Sequence, residues 1–378
     1  MDQPFLHYGS EASYYAGKSR AYLRWKRVPM RDIQVERRDY LETIIPLVGR
    51  PVIPVVRTPD GAVLQDTSNI FDAIEKLLPE PSATPAGPRQ RLAAALMEVF
   101  GDEWLMIPAI HYRWNKNKDW IIEEFVRIVA PDLPTEAERR HRGLKRAQEI
   151  QDKTLVNLGV VPAMHAAIEQ AYEGFLREFD AHLAQWPYLL GERPSIGDFG
   201  LIGPLYGHQY RDPASGAHMR AVAPRVVDWV ERMIAPDNRA YGSFLPDDAI
   251  PQSVIPLLQR FFREAAPVFE STARIFTSWV ARQGAAIDPQ ADLPRIIGRH
   301  RFTLEGVEGE RSVYPYHLWM MQRPLDLIAH ALPADRRAIR NLLASVGGQG
   351  LLRFPLFPRL TFRNFKLVLE GPPVASAP

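Results

Sequence analysis

Residues 51–70 read Pro51-Val-Ile-Pro-Val-Val-Arg-Thr-Pro-Asp-Gly-Ala-Val-Leu-Gln-Asp-Thr-Ser-Asn-Ile70. Two short apolar runs, Val52–Val56 and Ala62–Leu64, flank a Pro59-Asp60-Gly61 turn, which predicts a β-hairpin. Pro54 stands inside the first run, where a proline removes a ladder donor. A cis bond at the strand start reconciles it with the run. Asp66-Thr67-Ser68 then offers capping oxygens, and Ile70, Ile74 and Leu77 or Leu78 recur at helical spacing. The unbonded N–H groups and positive dipole end of such a helix start suit a carboxylate. A hairpin and a capped helix with no ligand is the plainer reading of the same residues.

Upstream, Phe5–Tyr8 reads as a strand, Gly9–Ser13 as a small polar loop, Tyr14–Lys26 as a helix and Ile33–Val35 as a second strand. Strand, helix, strand, hairpin, helix is a thioredoxin-like order, with helices packed on a small sheet. The loop before the first helix, ending at Ser13, is where such a domain does chemistry, because a helix N-terminus stabilises a nearby thiolate.

Here the residues resemble a family. Ile53-Pro54, the hairpin and Asp66-Thr67-x-x-Ile70 resemble the glutathione-binding half of the cytosolic glutathione transferases. That resemblance implies that the Ile53 backbone pairs with the cysteinyl part of glutathione. It further implies that Asp66 and Thr67, with Gln65 beside them, hold the γ-glutamyl end. In serine- and cysteine-type members the residue that bonds the glutathione sulfur lies five positions before a basic residue on the first helix. With Lys18 as that residue the match is Ser13, the implied catalytic group. Tyr8, Tyr14 and Tyr15 are the alternatives. A serine followed by Tyr14-Tyr15 departs from the Pro or Cys often found there.

Composition sets the outer bounds. The 378 residues allow two or three domains, and 46% hydrophobic residues supply ample core. Lys and Arg number 46 against 44 Asp and Glu, so the net charge of +2 gives no electrostatic case for nucleic acid. Cysteine is absent, which excludes disulfides, thiolate metal sites and a cysteine nucleophile. The thiol of a transferase belongs to glutathione, so the absence argues only against the thiol-exchange branch. The opening Met-Asp-Gln-Pro lacks a basic n-region and an apolar h-region, and no apolar run approaches the roughly 20 residues of a membrane span. A soluble, cytoplasmic protein is expected.

Pro79–Pro88 is too rich in proline for regular structure and marks a domain boundary. Beyond it Leu92, Leu96, Val99, Phe100, Trp104, Ile107 and Ile110 form a helical stripe, expected to kink at Pro108. It ends in His111-Tyr-Arg-Trp114. In a transferase this helix passes the cleft, so the resemblance implies a second-substrate pocket built from Tyr14, His111, Tyr112 and Arg113. Tyr112 and Trp114 in the core, with Arg113 solvated, is the alternative. A second helix is read from Val161 to Gln185. Ser195-x-x-Asp198 then reads as a capping box, inside a Gly-x-x-Pro-Ser-x-x-Asp stretch similar to the second-domain signature of the family.

Residues 237–378 carry no recognised motif. Helical patterns over 257–281 and 318–343 are expected, the second interrupted at Pro324 and Pro333. Two short strands meet around Gly306–Gly309. The end, residues 351–366, interleaves Phe with Arg and Lys and is expected to pack its rings on the body; an interfacial membrane or partner-binding role is the alternative. No His, Asp or Glu set has metal-ligand spacing, so no metal is expected.

The fold class expected is therefore an α/β thioredoxin-like domain (1–80), a linker (81–88), an all-α glutathione-transferase domain (89–236) and a mainly helical extension (237–378). The function implied is a glutathione-dependent transferase acting on a hydrophobic, aromatic electrophile. A non-catalytic glutathione or ligand binder, and a glutathione-dependent isomerase or ether-cleaving enzyme, are the alternatives. Partners implied are glutathione, an apolar small molecule and a second copy of the chain as a homodimer.

Overall fold

In the computed structural model, which describes residues 3–235, 242–284 and 288–371, the chain opens with β1 (Phe5–Gly9), α1 (Tyr14–Trp25) and β2 (Met30–Gln34). A helical passage follows as α2 (Arg37–Asp39), a π-helical turn (Tyr40–Ile44) and α3 (Ile45–Val48). Then come β3 (Val55–Arg57), β4 (Val63–Gln65) and α4 (Thr67–Leu77). The sheet order is β2-β1-β3-β4, with β2 parallel to β1 and the other pairs antiparallel. A parallel pair needs a crossover, and α1 supplies it. The Ile53–Pro54 peptide is cis, as the run of residues required. Val55 follows it fully buried, paired with Tyr8 on one side and Gln65 on the other.

The helical part runs α5 (Pro88–Val99), a π-helical turn (Phe100–Trp104), α6 (Met106–Asn115), α7 (Lys118–Val129), α8 (Glu136–Thr154), α9 (His165–Leu183), α10 (Ile196–Pro204), α11 (Pro213–Val222) and α12 (Pro224–Ile234). The break expected at Pro108 falls earlier, at the π turn. Pro108 is the third residue of α6, where its missing N–H belongs to a turn whose donors lack helical partners anyway. The second predicted helix starts at His165, later than Val161.

Every residue of α10 is buried. The capping box at its start forms: the Ser195 N–H and hydroxyl both donate to Asp198 at 2.8 Å. Phe199 then meets Tyr22 of α1 at 5.2 Å and Phe71 of α4 at 5.8 Å, so one aromatic cluster joins the domains. Where the π turn crosses α10, a Cβ on Gly101 would lie 2.4 Å from the Gly200 backbone; only glycine fits this crossing.

The last third forms α13 (Ile255–Arg260), α14 (Ala266–Gln283), a hairpin of β5 (Arg299–Leu304) and β6 (Val307–Ser312), α15 (Tyr316–Ala329), α16 (Pro333–Ser345) and a hairpin of β7 (Leu360–Arg363) and β8 (Lys366–Leu369). Pro333 opens α16, but Pro324 does not interrupt α15, contrary to expectation. Leu318, Met320 and Met321 of α15 are each 0% exposed. Their burial, about 1.5–3 kcal/mol apiece, outweighs the roughly 3 kcal/mol of one interior proline. The tail packs in part on the body: Phe365 joins the small core of Tyr8, Val52 and Ile53, whereas Phe362 lies 4.9 Å from Trp319 of the extension's own α15. The boundary expected at 236–237 begins outside the described residues. Among those described, no helix is long and apolar enough to cross a membrane.

Candidate functional site

Ser13 is the N-cap of α1, its backbone extended (φ −90°, ψ 125°) and its Oγ accepting the Ala16 N–H at 3.3 Å. The hydroxyl proton has no acceptor among the described residues and remains available to a ligand. Three tyrosines were alternatives, and each is engaged elsewhere. Tyr8 is packed among Val35, Ile44, Val48 and Val55. Tyr14 donates to the Gly101 carbonyl, and burial pushes its phenol well above 10. Tyr15 donates to the Asp102 carbonyl at 3.2 Å. Both acceptors lie in the π turn, whose irregular bonding leaves carbonyls to be used this way.

Ser13 and Ile53 line a single pocket of about 610 Å³, a volume suited to a small molecule. Its wall is largely apolar, with Val35, Ile110, Trp114, Phe125 and Ile128 among the lining residues. Tyr14 and Arg113 line it, but His111 and Tyr112 do not. On a helix they point elsewhere: His111 bonds Glu169 of α9 at 2.8 Å and Tyr112 packs on Tyr172 at 5.3 Å. Their placement in the second-substrate pocket is corrected. Nor is Arg113 a mobile pocket group. It is 3% exposed, grips Asp212 with two bonds of 2.8 Å, and donates to the Ala12 and Gly207 carbonyls. By holding Ala12 it fixes the loop that delivers Ser13.

The other half of the expected ligand site is closed. Asp66 takes a strained left-handed backbone (φ 75°), worth about 1–3 kcal/mol for a residue other than glycine. Its Oδ1 accepts from the Ser68 and Asn69 N–H groups at 3.0 and 3.3 Å, which caps α4. Its Oδ2 accepts the hydroxyl of Tyr316, the first residue of α15. Burial raises the Asp66 carboxyl above its usual range, and raises the Tyr316 phenol well above 10. Thr67 is 3% exposed and Ser68 fully buried, its Oγ bonded to Glu98 at 3.0 Å. Gln65 is half-buried, its Oε1 without a hydrogen-bond partner among the described residues. None of Gln65, Asp66 and Thr67 lines the pocket that holds Ser13 and Ile53.

Lys18, the basic residue that fixed the Ser13 alignment, is wholly buried between α1 and α5. It bonds Glu98 at 2.9 Å and Asp102 at 2.5 Å. Burial alone would lower the Lys18 ammonium; the two carboxylates outweigh it and hold the charge. Burial pushes Asp102 up to about 7, and Glu98 is held below its usual value by Lys18.

Three features of this region had no signal in the sequence. Arg142 and Arg146 of α8 line the pocket, though the helix carrying them is polar on most faces, with only Gly143 and Ala147 buried. Tyr316 reaches Asp66 across 250 residues of chain.

Two family models match the chain: "Glutathione S-transferase, N-terminal domain" over residues 8–82 and "Glutathione S-transferase, C-terminal domain" over residues 162–232. No curated protein matches it. Among solved structures, a glutathione S-transferase from Rhodospirillum rubrum is 16% identical, with 66% of this chain and 96% of that one covered and a TM-score of 0.41. A β-etherase from a Sphingobium species is 18% identical over 63% of this chain and 99% of that one, with a TM-score of 0.42. A Methylobacterium radiotolerans glutathione S-transferase in complex with glutathione sulfonate is 19% identical, covering 66% and 100%, with a TM-score of 0.37.

Proposed function

Because residues 8–82 and 162–232 match the models of the two glutathione S-transferase domains, we propose that the protein is a glutathione-dependent transferase for an apolar electrophile. The observation that carries this is the meeting of Ser13 and Ile53 on the wall of one largely apolar pocket. Glutathione would supply a thiolate for attack on an electrophilic carbon. Ser13 would donate a hydrogen bond from its hydroxyl to the thiolate sulfur, aided by the positive end of α1. A free thiol titrates near 8.5, and one such donor with a helix dipole lowers that by about two units, roughly 2.7 kcal/mol. The Ile53 backbone would align the cysteinyl part, and the apolar wall would select the electrophile and exclude water.

The test is calorimetry and thermal unfolding of the full chain with reduced glutathione. At 100 times the dissociation constant, binding is expected to add about 2.7 kcal/mol of stability. No shift up to millimolar glutathione would sink the proposal. Ser13→Ala should leave glutathione affinity within a few-fold. It should raise the bound thiol pKa by about one to two units and cut turnover at neutral pH roughly 10- to 100-fold. Ultraviolet absorbance of the thiolate against pH reads the first effect; an unchanged pKa and rate would remove Ser13 from the mechanism.

A second reading, a ligand binder without turnover, is favoured by one observation. The Tyr316 hydroxyl already occupies Asp66, and Thr67 beside it is buried. A site lacking its γ-glutamyl anchor would hold an apolar ligand without glutathione.

A further inference from the structure

We propose that the molecule held beside the thiol is an apolar carboxylic acid, its carboxylate bound by Arg142 and Arg146. The proposal rests on the transferase reading for the place of the thiol and names the substrate class of that same pocket.

Charge in the pocket is unevenly spread. Near the inner wall, His208 is kept neutral by burial and by the Arg113 charge, which together lower its pKa well below 6.5. Arg113 is neutralised by Asp212. Four arginines line the pocket in all, with Glu149 the one carboxylate among the lining residues. Arg37 reaches Asp132 at 3.5 Å, and Arg146 reaches Glu149 at 3.5 Å. Arg142 has no ion pair or hydrogen bond among the described residues. Arg142 and Arg146 are four residues apart on α8, so they share one face of the helix. The pocket therefore joins an apolar interior to a pair of guanidinium groups in excess of their local carboxylates. A ligand complementary to both has an apolar body and an anionic end, and a carboxylate fits the planar fork of arginine.

The α7–α8 pair lies between the two segments that the family models match and outside both. Its two helices pack closely: a Cβ on Gly143 would come within 2.5 Å of the Val126 backbone. Arg142 and Arg146 sit on this pair, half-exposed, and Arg37, Tyr40, Leu41 and Ile45 line the same pocket. The plainer use of such arginines is to lay their stems along apolar surface with their heads in water. The experiment separates the two.

Binding of decanoate and 4-phenylbutanoate, each against its primary amide, is measured by calorimetry on the full chain, with and without glutathione. The acids are expected to bind about tenfold or more tighter than the amides, with the preference falling as salt is raised. Arg142→Gln with Arg146→Gln should erase that preference and leave amide affinity within about twofold, since both positions are half-exposed and the helix core is untouched. Equal binding of acid and amide in the wild type overturns the proposal. So does a variant in which both weaken together, because the stems then act by packing. A variant that weakens glutathione but keeps the acid preference also overturns it, since the arginines would then hold the carboxylate of the peptide. If the acids show the preference while glutathione does not bind at all, this proposal stands and the transferase reading falls.

Discussion

Replacing Lys18 by methionine is expected to lower the stability of the protein by about 3–5 kcal/mol, the loss typical of breaking a buried ion pair from one side. Lys18, Glu98 and Asp102 are 0%, 1% and 2% exposed, so neither carboxylate can turn to water once the ammonium is gone. Methionine fills the volume of the lysine stem, which confines the effect to charge. Urea unfolding followed by circular dichroism measures it, and a change below about 1 kcal/mol would show that the acids are already protonated or hydrated.

The sign of the pH dependence follows from the two acids. In the wild type Asp102 titrates near 7, raised by burial, so its contribution is fully present below 3.8 and lost as pH rises through 7. Glu98 is lowered, and its contribution runs the other way, lost as pH falls through its folded value. Without Lys18 both acids rise, and the deficit of the variant should be largest above pH 7 and shrink in acid as protons replace the missing charge. Adding Glu98→Gln and Asp102→Asn to Lys18→Met should recover most of the loss, since the triad then carries no charge and Arg323, 3.7 Å from Glu98, keeps its pair with Asp72.

How far the sequence disclosed this molecule depends on the range of the interaction concerned. Ile53-Pro54, the Asp66 cap and the Ser195–Asp198 box were legible because each is settled within a few residues by proline geometry or capping. The spacing of Lys18 from Ser13 pointed to a site but not to the lysine's own partners, which lie 80 and 84 residues away on α5 and the π turn. His111 and Tyr112 were assigned to the pocket by neighbourhood along the chain. Helical rotation sends them to α9, and only Arg113 and Trp114 of that run line the pocket. The α8 helix had no apolar period to read. Its capping box, Thr135 with Glu138, was the one local signal available. The largest omission was the contact between the extension and Asp66, which no pattern within either segment announces.

That contact sets the last expectation. If Asp66 and Thr67 hold the γ-glutamyl end of glutathione, as the resemblance implies, that end must compete with Tyr316 for Asp66. Glutathione can seat fully only in molecules where the ring has left, and its apparent affinity is reduced by that fraction. Tyr316→Ala should therefore raise glutathione affinity by about tenfold or more, some 1.4 kcal/mol for each factor of ten. The helix should stay in place, because Leu318, Met320 and Met321 remain buried and Arg323 still grips Asp72 with two bonds of 2.8 Å. Tyr316→Phe is the control: it removes the hydroxyl from Asp66 but leaves the ring in the way, so little affinity should be gained. Calorimetry on the full chain reads both, with circular dichroism to confirm the fold. If wild type and Tyr316→Ala bind glutathione equally, the γ-glutamyl end does not use Asp66 and Thr67. The strained cap at Asp66 would then serve only to start α4 and to anchor the extension.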